Sequence, residues 1–255
     1  MFIKKMLTVI VTTSVAVGCA LPNTALSEAG AADVAAITDE TLDFYDYWKD
    51  KYVVQNPYTS ETQYYVFYGD QTYAQAGYEV PVTVSEAHGY GMLIAASMAE
   101  YDSEAKEIFD GMYNYYKAHL SEIGPNLMAW QQSDNGKALV NSNGADSATD
   151  GDLDIAYALL IADSVWGSDG GINYKETAIA VINDIMKYEV NQNDWVLRLG
   201  DWAYWSEEGD KYYSATRASD FLVQYMPIFA EVTGDDRWMS LYDTTYEIIN
   251  GIVDE

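Results

Sequence analysis

The chain has 255 residues, with 40 Asp+Glu against 13 Lys+Arg and a formal net charge of −27. It lacks the basic footprint that nucleic-acid binding needs and is repelled by anionic lipid, whereas a neutral or cationic polymer is compatible with it. Apolar residues make up 49% of the chain, enough for a substantial core, which excludes a disordered protein.

Lys4 and Lys5 precede an apolar run over 6–17, and small residues follow through Ala32, the pattern of an export signal. Residues 1–29 are read as the signal peptide, with Ala25 and Ala32 as equally acceptable cleavage points, and 30–38 as a linker. The protein is therefore expected to be secreted. Cys19 is the sole cysteine, which excludes an internal disulfide, and its A-V-G-C setting is similar to a lipobox. A lipid-anchored cell-surface form is the alternative to release.

Leu42, Tyr45, Trp48 and Tyr52 recur at steps of three and four and predict a helix over 40–52, ended by Asn56-Pro57. Residues 62–84 carry Tyr64, Tyr65, Val66, Phe67, Tyr68, Val80, Val82 and Val84 and read as a minor β element of short strands or extended loops. From Glu86 onward the pattern predicts helices over 86–100, 103–120, 151–166, 173–188, 216–232 and 236–252. Two long polar loops, 121–148 and 191–215, interrupt them, and loops of such length inside a helical domain tend to carry function. The expected class is a mainly helical domain over 39–255.

Asp150, Asp152 and Asp154 stand just before an apolar helical pattern in which Ile155, Leu159, Ala162 and Trp166 mark one buried face. Thr149 is a candidate N-cap, and early aspartates suit the positive end of a helix, yet three acids exceed what capping requires. A calcium loop would need Gly and Glu where Ile155 and Ile161 stand. Zinc would have only His88 and His119 to draw on. No phosphate-binding glycine loop or G-x-S-x-G elbow is present, so neither metal nor cofactor is expected.

In S-E-A-H-G-Y-G-M (85–92) Ser85 is a second candidate cap, and Glu86 lies beside Tyr90, where it is placed to be partly withdrawn from water. A solvated glutamate at a helix start is the plainer alternative. Gly89 and Gly91 each cost a helix about 1 kcal/mol relative to alanine, so close packing or a bulky ligand must require them. The chain holds 7 Trp, 23 Tyr and 6 Phe, and the loops display Trp130, Trp195, Trp202, Tyr204, Trp205, Tyr212 and Tyr213. Apolar faces with polar edges suit sugar rings, although core packing is the commoner role for any one of them. Paired carboxylates, aromatic loops and export converge on glycoside hydrolysis.

Together with S-E-A-H-G-Y-G-M, the motifs L-M-A-W-Q (127–131), A-T-D-G-D-L-D-I-A-Y-A-L-L-I-A-D (148–163) and W-G-S-D-G-G-I-N-Y (166–174) resemble glycoside hydrolase family 8. L-G-D-W (199–202) and A-T-R-A-S-D-F (215–221) are most similar to its chitosanase and β-1,3-1,4-glucanase branch. The resemblance implies an (α/α)6 barrel that cleaves β-1,4-linked polysaccharide with inversion. It implies Glu86 as general acid, Asp150 as the carboxylate that holds and distorts the sugar, and Trp130, with Tyr90, against the substrate. Asp152 and Asp154 receive no catalytic role.

The family places its base beyond the position matching Ile252, and seven predicted helices fall short of its twelve. The chain is thus expected to be the N-terminal portion of a longer, monomeric enzyme with an open barrel and no base of its own; nothing in the sequence favours Asp201 or Asp220 as a substitute. The expected partner is a polysaccharide, β-glucan or chitosan. A non-catalytic carbohydrate-binding surface protein and a calcium-dependent structural module are the competing classes.

Overall fold

The computed structural model describes residues 37–68 and 79–253. The expected export segment, Cys19 and most of the 30–38 linker lie outside the described residues. Helix α1 (Asp39–Tyr52) begins where Thr38 accepts the Thr41 N–H, and it buries Tyr45 and Trp48 from the predicted stripe. Strands β1 (Val53–Gln55) and β2 (Tyr64–Val66) then pair antiparallel.

Strand β3 (Val80–Val84) pairs antiparallel with β4 (Gln131–Asp134), which pairs in turn with β5 (Leu139–Asn141). The last two fall in a stretch read as loop. The sequence Q-Q-S-D lacks apolar alternation, and its buried Gln132 and Ser133 are held by hydrogen bonds that no hydropathy pattern reports.

The helices that follow are α2 (Ser85–Ser97), α3 (Ala105–Ala118), α4 (Thr149–Trp166) and α5 (Tyr174–Asp184). A wide π turn (Ile185–Glu189) and a two-stranded hairpin, β6 (Val190–Asn191) with β7 (Val196–Leu197), come next. Helices α6 (Met226–Thr233) and α7 (Arg237–Val253) complete the described chain. The helix predicted over 216–232 is corrected: only its end is α-helical, after the 3-10 turns Ala218–Asp220 and Val223–Tyr225. Pro227 has no N–H to continue a helix from upstream, and it sits in the first turn of α6, where that loss is harmless.

Helix α2 packs directly on α4; α3 lies on α2, α5 on α4, and α6 and α7 continue the arc. The mainly helical class stands, and the helices do not close into a barrel among the described residues. Helices α2 and α4, the inner pair of this arc, are buried over most of their circumference, so the single buried face read for α4 is incomplete. In I-A-Y-A-L-L-I-A nearly every position is apolar, and the 3.6-residue period vanishes.

Glycines set how closely α2 and α4 approach. A Cβ on Gly89 would lie 2.8 Å from Asp154 Cβ and 3.0 Å from the Gly151 carbonyl oxygen, while one on Gly151 would lie 2.6 Å from the Ser85 backbone. Close packing is thus the reason Gly89 is needed, and Gly91 likewise, since its Cβ would meet Val66 and Met112.

Candidate active site

Strand β3 runs without a break into α2, so the sheet fixes where the helix begins. The Ser85 N–H donates to the Trp130 carbonyl at 2.9 Å, which ties the start of α2 to the entry of β4. The Trp130 indole Nε1 donates to the Asn143 carbonyl at 3.0 Å. That carbonyl is presented by a tight turn in which Asn143 (φ 56°) and Gly144 (φ 99°) are both left-handed. Trp130 is thereby held at both its backbone and its ring, and it is half-buried.

Glu86 stands in the first turn of α2, half-buried, and its Oε1 accepts the Tyr90 hydroxyl one turn later at 3.3 Å. Burial and then the negative charges of Asp154, Glu86 and Asp150 push the Tyr90 phenol well above its ordinary range, so it stays a donor. Asp150 stands in the first turn of α4, half-buried, beside the Gly151 that touches Ser85. Glu86, Asp150, Tyr90 and Trp130 are therefore gathered at one end of the α2–α4 pair.

Neither predicted cap acts as one. Ser85 and Thr149 are the first helical residues, and the N-caps are Val84 and Ala148, which offer no side-chain bond. Thr149 donates instead to the Arg198 carbonyl at 2.8 Å. The plain reading of the aspartates as helix-start residues is thus only part of their role.

The three aspartates take three separate partners. Asp150 Oδ1 faces Arg217 Nη2 at 3.8 Å. Asp152 Oδ1 accepts the Met128 N–H at 2.8 Å, and Asp154 Oδ1 accepts the Tyr225 hydroxyl at 2.9 Å. Residues two apart on a helix are turned about 200° from one another, so consecutive members of the set cannot converge on one ion. Among the described residues no group of three or more His, Cys, Asp or Glu could hold a metal. His88 is fully buried, with Nε2 on the Met112 carbonyl at 3.0 Å, and burial pushes it down to about 4.

Arg217 is the site residue that sequence reasoning passed over. Its guanidinium joins Asp150 to Asp220, with Nε 3.2 Å from Asp220 Oδ2. Burial raises the Asp220 carboxyl against the lowering effect of Arg217. The only signal was an arginine inside A-T-R-A-S-D-F, in a chain with few cations. Asp201 is fully buried and takes three donors, from Ser121 Oγ, Gly124 N and Ser147 N. That geometry leaves it no open face toward a water. Of the other loop aromatics, Trp195 packs on the core, whereas Trp202, Trp205 and Tyr212 are exposed, with Trp202 edge-on to Tyr212 at 5.1 Å.

Comparison with known proteins gives these residues a family context. A model described as glycosyl hydrolases family 8 matches residues 18–254. The chain is 48% identical over 212 residues to a beta-glucanase of Niallia circulans, covering 82% of this chain and 46% of the relative. It is 40% identical to an endoglucanase of Bacillus sp. (strain KSM-330), covering 83% and 43% respectively. Its fold matches that of a beta-1,3-1,4-glucanase from Paenibacillus sp.X4 with a TM-score of 0.70 at 45% identity, over 85% of this chain and 53% of that one. A cold-adapted family 8 xylanase shares the fold at TM-score 0.62 and 18% identity, over 83% and 51%. The chain spans about half the length of the relatives it matches.

Proposed function

The chain belongs to glycosyl hydrolases family 8, and from that premise we propose an exported, endo-acting hydrolase of β-glucan that inverts the anomeric centre. Glu86 is the general acid that protonates the leaving glycosidic oxygen, and the Tyr90 hydroxyl on its Oε1 orients it. Asp150, restrained by Arg217, accepts hydrogen bonds from sugar hydroxyls and holds the ring in a distorted shape, while Trp130 stacks on a neighbouring ring. Inversion requires a second carboxylate about 6.5–9.5 Å from the acid to activate water. Asp201 is excluded by its three internal donors, and Asp220 is committed to Arg217.

The observation that carries this reading is the Gly151–Ser85 contact, which sets the starts of α2 and α4, and with them Glu86 and Asp150, side by side. The names of the relatives favour glucan over chitosan, the cationic alternative that a net charge of −27 would attract.

Reducing-sugar release from barley β-glucan, carboxymethylcellulose and chitosan tests the substrate. Release is expected from β-glucan first. Glu86→Gln should lower kcat by about 10²–10⁴-fold with binding retained. Near-normal turnover in that variant would refute the acid assignment, and polysaccharide binding without release would favour a binding protein instead.

A further inference from the structure

We propose that Asp152 and Glu189 hold one shared proton and act as positioning residues, clamping the segment that carries Trp130 onto the helix start that carries Asp150. Both side chains are fully buried. Asp152 takes the Met128 N–H at 2.8 Å, just ahead of Trp130 in the chain. Glu189 closes the π turn and takes the Ser147 hydroxyl at 2.5 Å, just ahead of Asp150. The two acids thus grip the two segments that meet at the mouth of the site.

Each acid is left with one oxygen, Asp152 Oδ2 and Glu189 Oε2, that has no hydrogen-bond partner. Among the described residues no ion pair reaches either acid, and the unpartnered Nε of Arg198 reaches neither. Arg198 is the buried arginine among the described residues, and its Nη1 donates to the Ala203 carbonyl at 2.7 Å. Arg217 is committed to Asp150 and Asp220. The remaining groups facing the pair are Asp201 with its three donors, Asp150, the Thr149 and Ser147 hydroxyls, and the Tyr116 phenol of α3. Two bare carboxylates enclosed in this way would be strongly disfavoured. One proton removes their repulsion and turns an orphaned oxygen into a donor.

Burial raises both carboxyls. The charge of Glu189 adds to the effect on Asp152, and burial takes Glu189 to about 8 against the opposing Ser147 hydrogen bond. An unfolded glutamate releases its proton near 4.5, whereas the folded one keeps it to about 8. The folded state therefore binds more protons across that window, so stability falls as pH rises through it and levels off above.

The functional half of this inference rests on the sugar-binding role given to Trp130 and Asp150; the proton itself does not. In the full chain the melting temperature should fall from about pH 5 to about pH 8. Glu189→Gln and Asp152→Asn should each flatten that slope and weaken the infrared band of an un-ionised carboxyl at neutral pH. Should Asp152→Asn fail to fold, Glu189→Gln alone reads both.

Affinity for barley β-glucan should drop at least about fivefold in the wild type between pH 6 and pH 9. It should stay constant in Glu189→Gln and be lost at both pH values in Glu189→Ala. An absent band, or an equal slope in wild type and Glu189→Gln, overturns the shared proton. A pH response of affinity that is the same in both overturns the positioning role. A wild type that binds no glucan at any pH sinks the active-site reading and the positioning half with it, while the proton still stands or falls on melting and infrared.

Discussion

Helices α4 and α7 are of similar length, 18 and 17 residues, yet they are specified in opposite ways. Helix α7 is amphipathic: Trp238, Leu241 and Thr245 are buried along one face, while Tyr246, Ile252 and Val253 are exposed. Helix α4 is buried almost all round; the acids of its first turns, Asp150, Asp152 and Asp154, each receive a partner, and Asp163 near its end takes the Ser168 hydroxyl. An outer helix is placed by where its apolar stripe runs. An inner helix has no stripe to orient it, so glycine contacts and hydrogen-bonded acids fix its rotation instead. Those same devices bring Asp150 to the site.

Removing the main anchor of α7 should have the largest effect on stability. Trp238 is fully buried and meets Phe229 edge-on at 5.0 Å. Trp238→Ala should lower the unfolding free energy by about 3–5 kcal/mol in urea titration, as expected for emptying an indole-sized space. A loss below about 1 kcal/mol would mean that α7 is not anchored through its stripe.

For α4 the corresponding test adds atoms. Gly89→Ala raises helix propensity by about 1 kcal/mol, so on an exposed helix it would stabilise. Here the new methyl would press on Asp154 Cβ at 2.8 Å and on the Gly151 carbonyl at 3.0 Å. The expected net result is a loss of about 1–3 kcal/mol, read by thermal or urea unfolding. A gain in stability would show that the two inner helices can move apart freely, and the comparison with α7 would collapse.

The contrast also explains what could be read in the sequence. The stripe Leu42, Tyr45, Trp48 and Tyr52 located α1 because an outer helix has a period, and α3 and α7 were found the same way. Helix α4 is legible from the spacing of Ile155, Leu159, Ala162 and Trp166, but burial on its other faces is not. Glu86, Asp150 and Trp130 were singled out by the resemblance of their motifs, and the fold places them at one end of the inner pair.

Glu189, by contrast, stands between Tyr188 and Val190 like any surface glutamate, and only the wide π turn carries it into the interior. Arg217 meets Asp150 across a long separation in sequence, which no local pattern encodes. Strand β4 is polar because its neighbours are hydrogen-bonding partners, so its pattern reads as loop.

The smallest expected effect lies at the other end of the comparison. Ile252 and Val253 close α7 with 62% and 76% of their surface exposed. Ile252→Ser in this chain removes little buried apolar area and should change the unfolding free energy by no more than about 0.5 kcal/mol, the range for surface positions without a special role. The same substitution at Ile155 of α4, which is fully buried, would combine a cavity with an unsatisfied hydroxyl and is expected to be far costlier. A loss above about 1 kcal/mol at Ile252, measured by urea unfolding at two protein concentrations, would show that this turn is covered in solution. If that loss grew with concentration the cover would be a second copy of the chain, and the outer-helix character of α7 would stop short of its last turn.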